Sequence, residues 1–306
     1  MLRLAIMRAK AFATRVRLAS QTGSPPPMTQ APNPPSYRTG LSGWASDFLA
    51  VLRFYSRLPA PVMGFERDPH ALPDFTRAAW AIPLAGVLIG LTGAGIGILA
   101  YLAGISMLIA ATLTIGALVM ATGAFHEDGL ADCCDGFWGG ATRERRLEIM
   151  KDSRVGTFGA AAVALSLALR IFALAELFRL VGPMALVLVI GIAALSRPLA
   201  LLPVLMLSPA QGSGLAAGVP MPGASGLGIA VALGLAALVG GAFSLDLLPG
   251  VFLTLGAALG MLALGMAIAQ RKIGGYTGDV LGGCQQLVEI TLLIGLSAVA
   301  GAHGPV

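Results

Sequence analysis

The segment HEDGLADCCDGFWGG, His126 to Gly140, gathers ionisable side chains in a chain that otherwise avoids them. Asp128, Asp132 and Asp135 are spaced i, i+4, i+7. At 100° per residue they fall within about 60° of one another, so a helix places all three carboxylates on one face. Like charges held together need a shared positive partner, and a hard divalent cation is the simplest one. An all-oxygen carboxylate set suits Mg²⁺. The alternative is a solvated acidic face or pairing with nearby arginines. His126 either orients a ligand, serves as acid or base, or is an interfacial histidine. Cys133 and Cys134 have no second Cys/His pair at zinc spacing.

Two further polar segments follow the same logic. In RRLEIMKDSRVGTFG, Arg145 to Gly159, Lys151 and Arg154 flank Asp152 and Ser153, and glycines 156 and 159 open an apolar run. A helix N-terminus with free N–H groups and two cations suits a phosphate. The plainer reading is a basic membrane anchor. In RKIGGYTGDVLGGCQQLVE, Arg271 to Glu289, Gly274, Gly275 and their neighbours permit close backbone approach to a ligand. Thr277 and Asp279 add oxygen ligands, or Asp279 caps a helix. Glu289 falls inside an apolar run, where an ionisable group defaults to a functional reading. Arg197, also inside such a run, either faces the site or pairs with Glu176.

The elements that carry these segments are apolar spans. The chain has 306 residues, of which 56% are hydrophobic and only 11% charged. That is under half the charge of an ordinary soluble domain. Mean hydropathy is +0.83, and 41 glycines permit close helix packing. The composition predicts an all-α, polytopic membrane bundle set in a lipid bilayer. No formal charge occurs from Ala78 to Phe125, enough for two spans that turn near Ala103–Ser106. Further spans are expected near Gly156–Phe178, Met184–Leu207, Gly226–Leu245, Pro249–Gln270 and Cys284–Ala302, with Ser208–Ser225 as a loop. The count is about seven, within six to eight.

Arg and Lys fall in alternate loops: Arg53 to Arg77, Arg143 to Arg154, and Arg271 with Lys272. By the positive-inside rule these loops face the cytosol. The net charge of +5 therefore reads as topology and not as nucleic-acid binding. Three cysteines give no disulfide framework. Residues 1–43, basic and then Pro-rich, read as an extended tail or a transit-like segment. Residues 44–306 form one transmembrane catalytic domain, and Ser46–Leu58 reads as an interfacial helix.

Taken together, HxDGLADxxDG, then IMKDSRxGxxG, then GGxTGDxLG with a following Glu resemble the cobalamin synthase family, membrane adenosylcobinamide-GDP ribazoletransferases. The resemblance covers roughly residues 45–300. It implies a bacterial inner-membrane enzyme using Mg²⁺. Adenosylcobinamide-GDP and α-ribazole, or its 5′-phosphate, would give adenosylcobalamin, or its phosphate, plus GMP. Residue by residue, it implies catalytic and metal-binding roles for Asp128, Asp132 and Asp135, and a catalytic role for Asp152. It implies substrate contacts from His126, Lys151, Ser153, Arg154, Gly274, Gly275, Thr277 and Asp279. Other cobalamin-assembly enzymes and an oligomer are compatible partners.

Two rivals share some of these features. CDP-alcohol phosphatidyltransferases also cluster Asp on a membrane helix, but their motif wants Arg where Asp132 follows Ala131. A cation transporter would place its acids near mid-membrane, whereas these cluster at one mouth.

Overall fold

The computed structural model describes residues 40–66, 68–210 and 219–303. The tail expected over 1–43 lies outside them up to residue 39. Among the described residues there is no strand, only an isolated bridge between Pro209 and Tyr276. Twelve α-helices are described: α1 (Leu41–Tyr55), α2 (Phe75–Ala78), α3 (Ala81–Leu102), α4 (Met107–Thr122), α5 (Phe125–Gly139), α6 (Arg143–Ile149), α7 (Thr157–Val181), α8 (Ala185–Leu199), α9 (Leu202–Met206), α10 (Ala224–Phe243), α11 (Leu248–Ile273) and α12 (Gly278–His303).

Five stretches are long and apolar enough to cross a membrane: Ala81–Leu102, Thr157–Met206, Ala224–Phe243, Leu248–Ile273 and Gly278–Ala302. The pair α4 and α5, bent by 87°, makes a sixth. Thr157–Met206 is 50 residues long, more than twice the ~20 that a bilayer needs. It turns back at the 3₁₀ segment Gly182–Met184. α7 starts where Gly159 meets Asp135 and ends where Phe178 meets Tyr101. α8 then returns along α3, with Leu186 against Gly97 and Ala193 against Gly86. Counted as two passes, this stretch brings the total to the expected seven.

The passes alternate in direction because tight helix pairs are antiparallel. Small residues make the contacts, as close packing without a hydrophobic driving force requires. A Cβ on Gly234 would lie 2.8 Å from Ala194 O, and one on Gly191 2.6 Å from Leu238 Cα. Val251, Leu262, Leu292 and Leu296 fill the core beside these crossings, and Leu99, Phe172 and Leu253 are exposed on the outside. The site end of the bundle carries the segments with Arg57, Arg143, Lys151 and Arg271, and all three tryptophans, Trp44, Trp80 and Trp138. Trp44 and Trp80 pack at 5.0 Å, and Lys272 sits 5.5 Å over Trp138. Tryptophan at one level is the mark of an interface. The opposite end holds Arg179, paired with Glu176 at 2.5 Å.

The last helix begins at Gly278, earlier than the span expected from Cys284, so Asp279 stands on its first turn. Arg197 does not pair with Glu176. Arg170 is buried and bridges Glu127 on α5 at 2.8 Å and Glu289 on α12 at 3.0 Å. Gln285 donates to Glu289 and to Ser196, and Gln286 to Glu127. A buried polar group is costly without partners, and this network supplies them across four helices to all of these groups but Glu127 Oε2, which has none among the described residues.

Candidate active site

The entry to α5 is a two-residue left-handed corner, Gly123 (φ 67°) and Ala124 (φ 58°). It swings α5 across the end of α4, so the first turn of α5 carries Glu127 and Asp128 on a helix N-terminus that favours acids. Neighbouring side chains then diverge. Glu127 points inward to Arg170. His126 is buried and stacks on Tyr55, rings 6.1 Å apart and 20° from parallel. Asp128 is exposed and Asp132 half-buried.

The three-carboxylate cradle expected from the spacing is not assembled. Asp135 is buried, and both its oxygens accept backbone N–H groups at the start of α7, Gly156 at 2.7 Å and Gly159 at 2.8 Å. This also corrects the reading of those glycines. The free N–H groups expected to hold a phosphate already hold an anion from the same chain. Glycine is required there because a Cβ on either would collide with the Asp135 carboxylate. Among the described residues no three His, Cys, Asp or Glu side chains converge as a metal cage.

Asp132 instead lies within electrostatic reach of Asp279 and Asp128, as well as Asp135. Gly129 makes this possible. A Cβ there would lie 2.8 Å from Asp279 O and 3.2 Å from Gly282 Cα, so α5 and α12 cross backbone to backbone. The acidic group is therefore Asp128 and Asp132 from α5 with Asp279 from α12.

The loop before α12 is explained mostly by its own folding. Gly274 (φ 76°) ends α11 in the left-handed conformation, its N–H on Gln270 O. Gly275 passes against Ser208 O with no room for a side chain. Tyr276 donates to Ser208 O at 3.0 Å and accepts from Ala210 N at 2.8 Å. Arg143 donates to Ile273 O at 2.7 Å and to Ala210 O at 2.6 Å, binding both loops to α6. Thr277 accepts from Val280 N at 3.3 Å and donates to Asp279 Oδ2 at 3.2 Å, so Thr277 caps α12 and orients the acid.

Between α1, α5, α8 and α12 lies a cavity of about 180 Å³. His126, Asp128, Asp279 and Arg197 provide its polar wall, and Phe54, Phe75 and Phe125 much of its apolar one. Lys151, Ser153 and Arg154 are exposed and do not line it. Arg154 grips Asp152 with two nitrogens, Nη2 to Oδ2 at 2.6 Å and Nε to Oδ1 at 3.1 Å. Its own N–H closes the turn on Oδ1 at 3.1 Å. The guanidinium hydrogen bonds pull the Asp152 carboxyl down to about 2.

Sequence reasoning passed over Tyr55 and left Arg197 undecided. The signal for Arg197 was its cost, a permanent charge in an apolar run beside Pro198. Nothing local pointed to Tyr55, which reaches the site only because α1 packs on the start of α5.

A family model described as cobalamin-5-phosphate synthase matches residues 47–297. An adenosylcobinamide-GDP ribazoletransferase of Azorhizobium caulinodans is 45% identical over 265 residues, 84% of this chain and 97% of its own. The same-named protein of Xanthobacter autotrophicus is 44% identical over 263 residues, 84% and 97% of the two chains. That of Rhizobium meliloti is 42% identical over 256 residues, 81% and 94%. No solved structure matches the chain. With the match spanning nearly all of the bundle and every polar segment of the site, the chain belongs to the cobalamin-5-phosphate synthase family.

Proposed function

We propose that this chain is a membrane phosphotransferase that joins adenosylcobinamide-GDP to α-ribazole or its 5′-phosphate and releases GMP. The observation that carries this reading is that Asp128, Asp132 and Asp279 lie within electrostatic reach of one another beside a cavity that also holds a buried arginine. The relatives named for this reaction cover nearly their whole length in the alignment.

The donor set fits Mg²⁺. All three acids offer hard oxygen, and a cation that keeps several waters and takes substrate phosphates needs only one or two protein carboxylates. Asp128 and Asp132 would hold it, leaving Asp279 across the crossing free to act as a base, and Asp135 would serve them by fixing α5 to α7. When bound, Mg²⁺ supplies charge neutralisation on the diphosphate.

The acceptor's 3′-hydroxyl attacks the phosphorus bonded to the cobinamide arm. The anhydride bond breaks and GMP leaves with the electron pair. Of the carboxylates that could take the hydroxyl proton, Asp279 lines the cavity, whereas Asp152 is exposed and committed to Arg154. We therefore assign the proton to Asp279. Lys151, Ser153 and Arg154, on the surface at the same end, would meet the guanylyl phosphate. The basic loops at this end support a cytosolic orientation, in what we take to be a bacterial inner membrane.

The test is GMP release by the purified full-length protein in nanodiscs, given Mg²⁺ and both substrates. GMP should appear only when both are present. Its absence with both, in folded protein, would overturn the reading.

A further inference from the structure

Arg197 is a buried charge that the network around Arg170 leaves largely unaccounted for among the described residues. It is 3% exposed. A guanidinium has five N–H donors and stays charged. Among the described residues Arg197 gives one hydrogen bond to protein, Nη1 to Ala193 O at 2.6 Å, and its buried Nε has no partner. The two buried acids nearby, Glu127 and Glu289, act on Arg197 through their charge but accept their guanidinium hydrogen bonds from Arg170, and Glu127 Oε2 is left without a partner among the described residues. Arg197 lines the cavity, which offers its spare donors a ligand to hold.

The rest of that cavity narrows the ligand. At about 180 Å³ it is smaller than the pockets that enclose whole drug-sized molecules, so it takes one part of a substrate and not a corrinoid. Phe75 and Phe125 each pack edge-on against Phe54, at 5.4 and 5.5 Å between centroids, all three line the cavity, and Met221 adds a further apolar surface. Such a wall suits a flat base without exocyclic donors or acceptors. Guanine has polar atoms on every edge, and against the phenylalanine side of the cavity those facing it would be buried unpaired. A benzimidazole can face it without burying any.

We infer that this cavity is the acceptor pocket, with the ribazole base against the phenylalanines and Arg197 receiving the acceptor's 5′-phosphate. This rests on the function proposed above. It makes Arg197 a specificity-determining residue that separates phosphorylated from unphosphorylated ribazole.

The test measures binding without turnover. α-Ribazole 5′-phosphate and α-ribazole are titrated calorimetrically into the full-length protein in nanodiscs, with EDTA and no corrinoid. Arg197→Gln should weaken the phosphate ester about tenfold or more and unphosphorylated ribazole by less than about threefold. Met221→Trp, which fills the cavity from its rim, should weaken both about equally. Should Arg197→Gln not fold, Arg197→Lys keeps the charge but not the fork and should lose part of the same discrimination. Equal weakening of both ligands by the Arg197 variants would overturn the assignment. So would KM changes confined to adenosylcobinamide-GDP, which would give the cavity to the donor. Failure of the wild type to release GMP sinks the underlying reaction instead, so the two failures are distinguishable.

Discussion

Three aspartates on one helix face divide their work because their neighbours differ. Asp128 and Asp132 look toward α12, and Asp135 is buried against the amides of α7. Substitution should separate them. Asp128→Asn and Asp132→Asn should each cut turnover by about 10²-fold while leaving thermal unfolding unchanged, the scale of a lost preorganised electrostatic contact. Asp135→Ala should instead lower stability, by about 1–2 kcal/mol for two lost amide acceptors, seen as a lower melting temperature in detergent. A fall in turnover for Asp135→Ala with unchanged melting would return it to the metal. The Asp152–Arg154 pair yields a pH prediction. Asp152 falls from 3.8 to about 2, so whatever the pair contributes is present above the unfolded value and lost as pH drops through about 2. Between about pH 5 and pH 9 the pair stays charged. Any acid limb of the activity profile in that window should therefore survive Asp152→Asn unshifted.

At the scale of elements, two crossings and one corner fix the site. Gly129→Val should force α5 from α12 at Asp279 O, and turnover should collapse while circular dichroism keeps its helical content. Ala124 holds φ 58° without being glycine. Ala124→Gly should stabilise the protein by up to about 1 kcal/mol, read as slower thermal inactivation. The buried network is more costly to break. Arg170→Met leaves Glu127 and Glu289 without their cation, and a loss of about 3–5 kcal/mol is expected. Adding Glu127→Gln and Glu289→Gln should recover much of it.

These elements also show what was legible in advance. Spans were readable because lipid forces long apolar runs, and the turn at residues 103–106 fell where charge-free sequence had to reverse. The acidic face was readable because helical spacing is local. The partners were not. Gly156 meets Asp135 from 21 residues away, and Arg170 meets Glu289 from 119. Spacing within one segment says nothing about which distant helix will supply the other half of a pair. For that reason the glycines at 156 and 159 read as a phosphate seat when they make room for a carboxylate.

For the whole molecule, seven alternating passes put the site end and the turn at residues 103–106 on opposite faces. Of the cysteines, Cys133 and Cys284 are buried and Cys134 is partly accessible. A membrane-impermeant maleimide should reach Cys134 only in inverted vesicles. In a variant lacking native cysteines, Ser106→Cys should react from outside intact cells. Labelling of both from one side would remove a pass from the bundle.

The network around Arg170 also runs on a clock. Glu127 is made first, Arg170 follows 43 residues later, and Glu289 another 119 after that. At about 5–20 residues per second, the second wait lasts roughly 6–24 s. Throughout it, Arg170 on α7 has Glu127 as its partner but lacks the second carboxylate, Glu289, that its other nitrogen holds in the finished bundle. The first six passes therefore lack one side of their buried polar network until the last helix arrives. A nascent chain stopped before Gly278 thus keeps the Arg170–Glu127 pair but lacks Glu289, Gln285 and Gln286, the partners that complete the network.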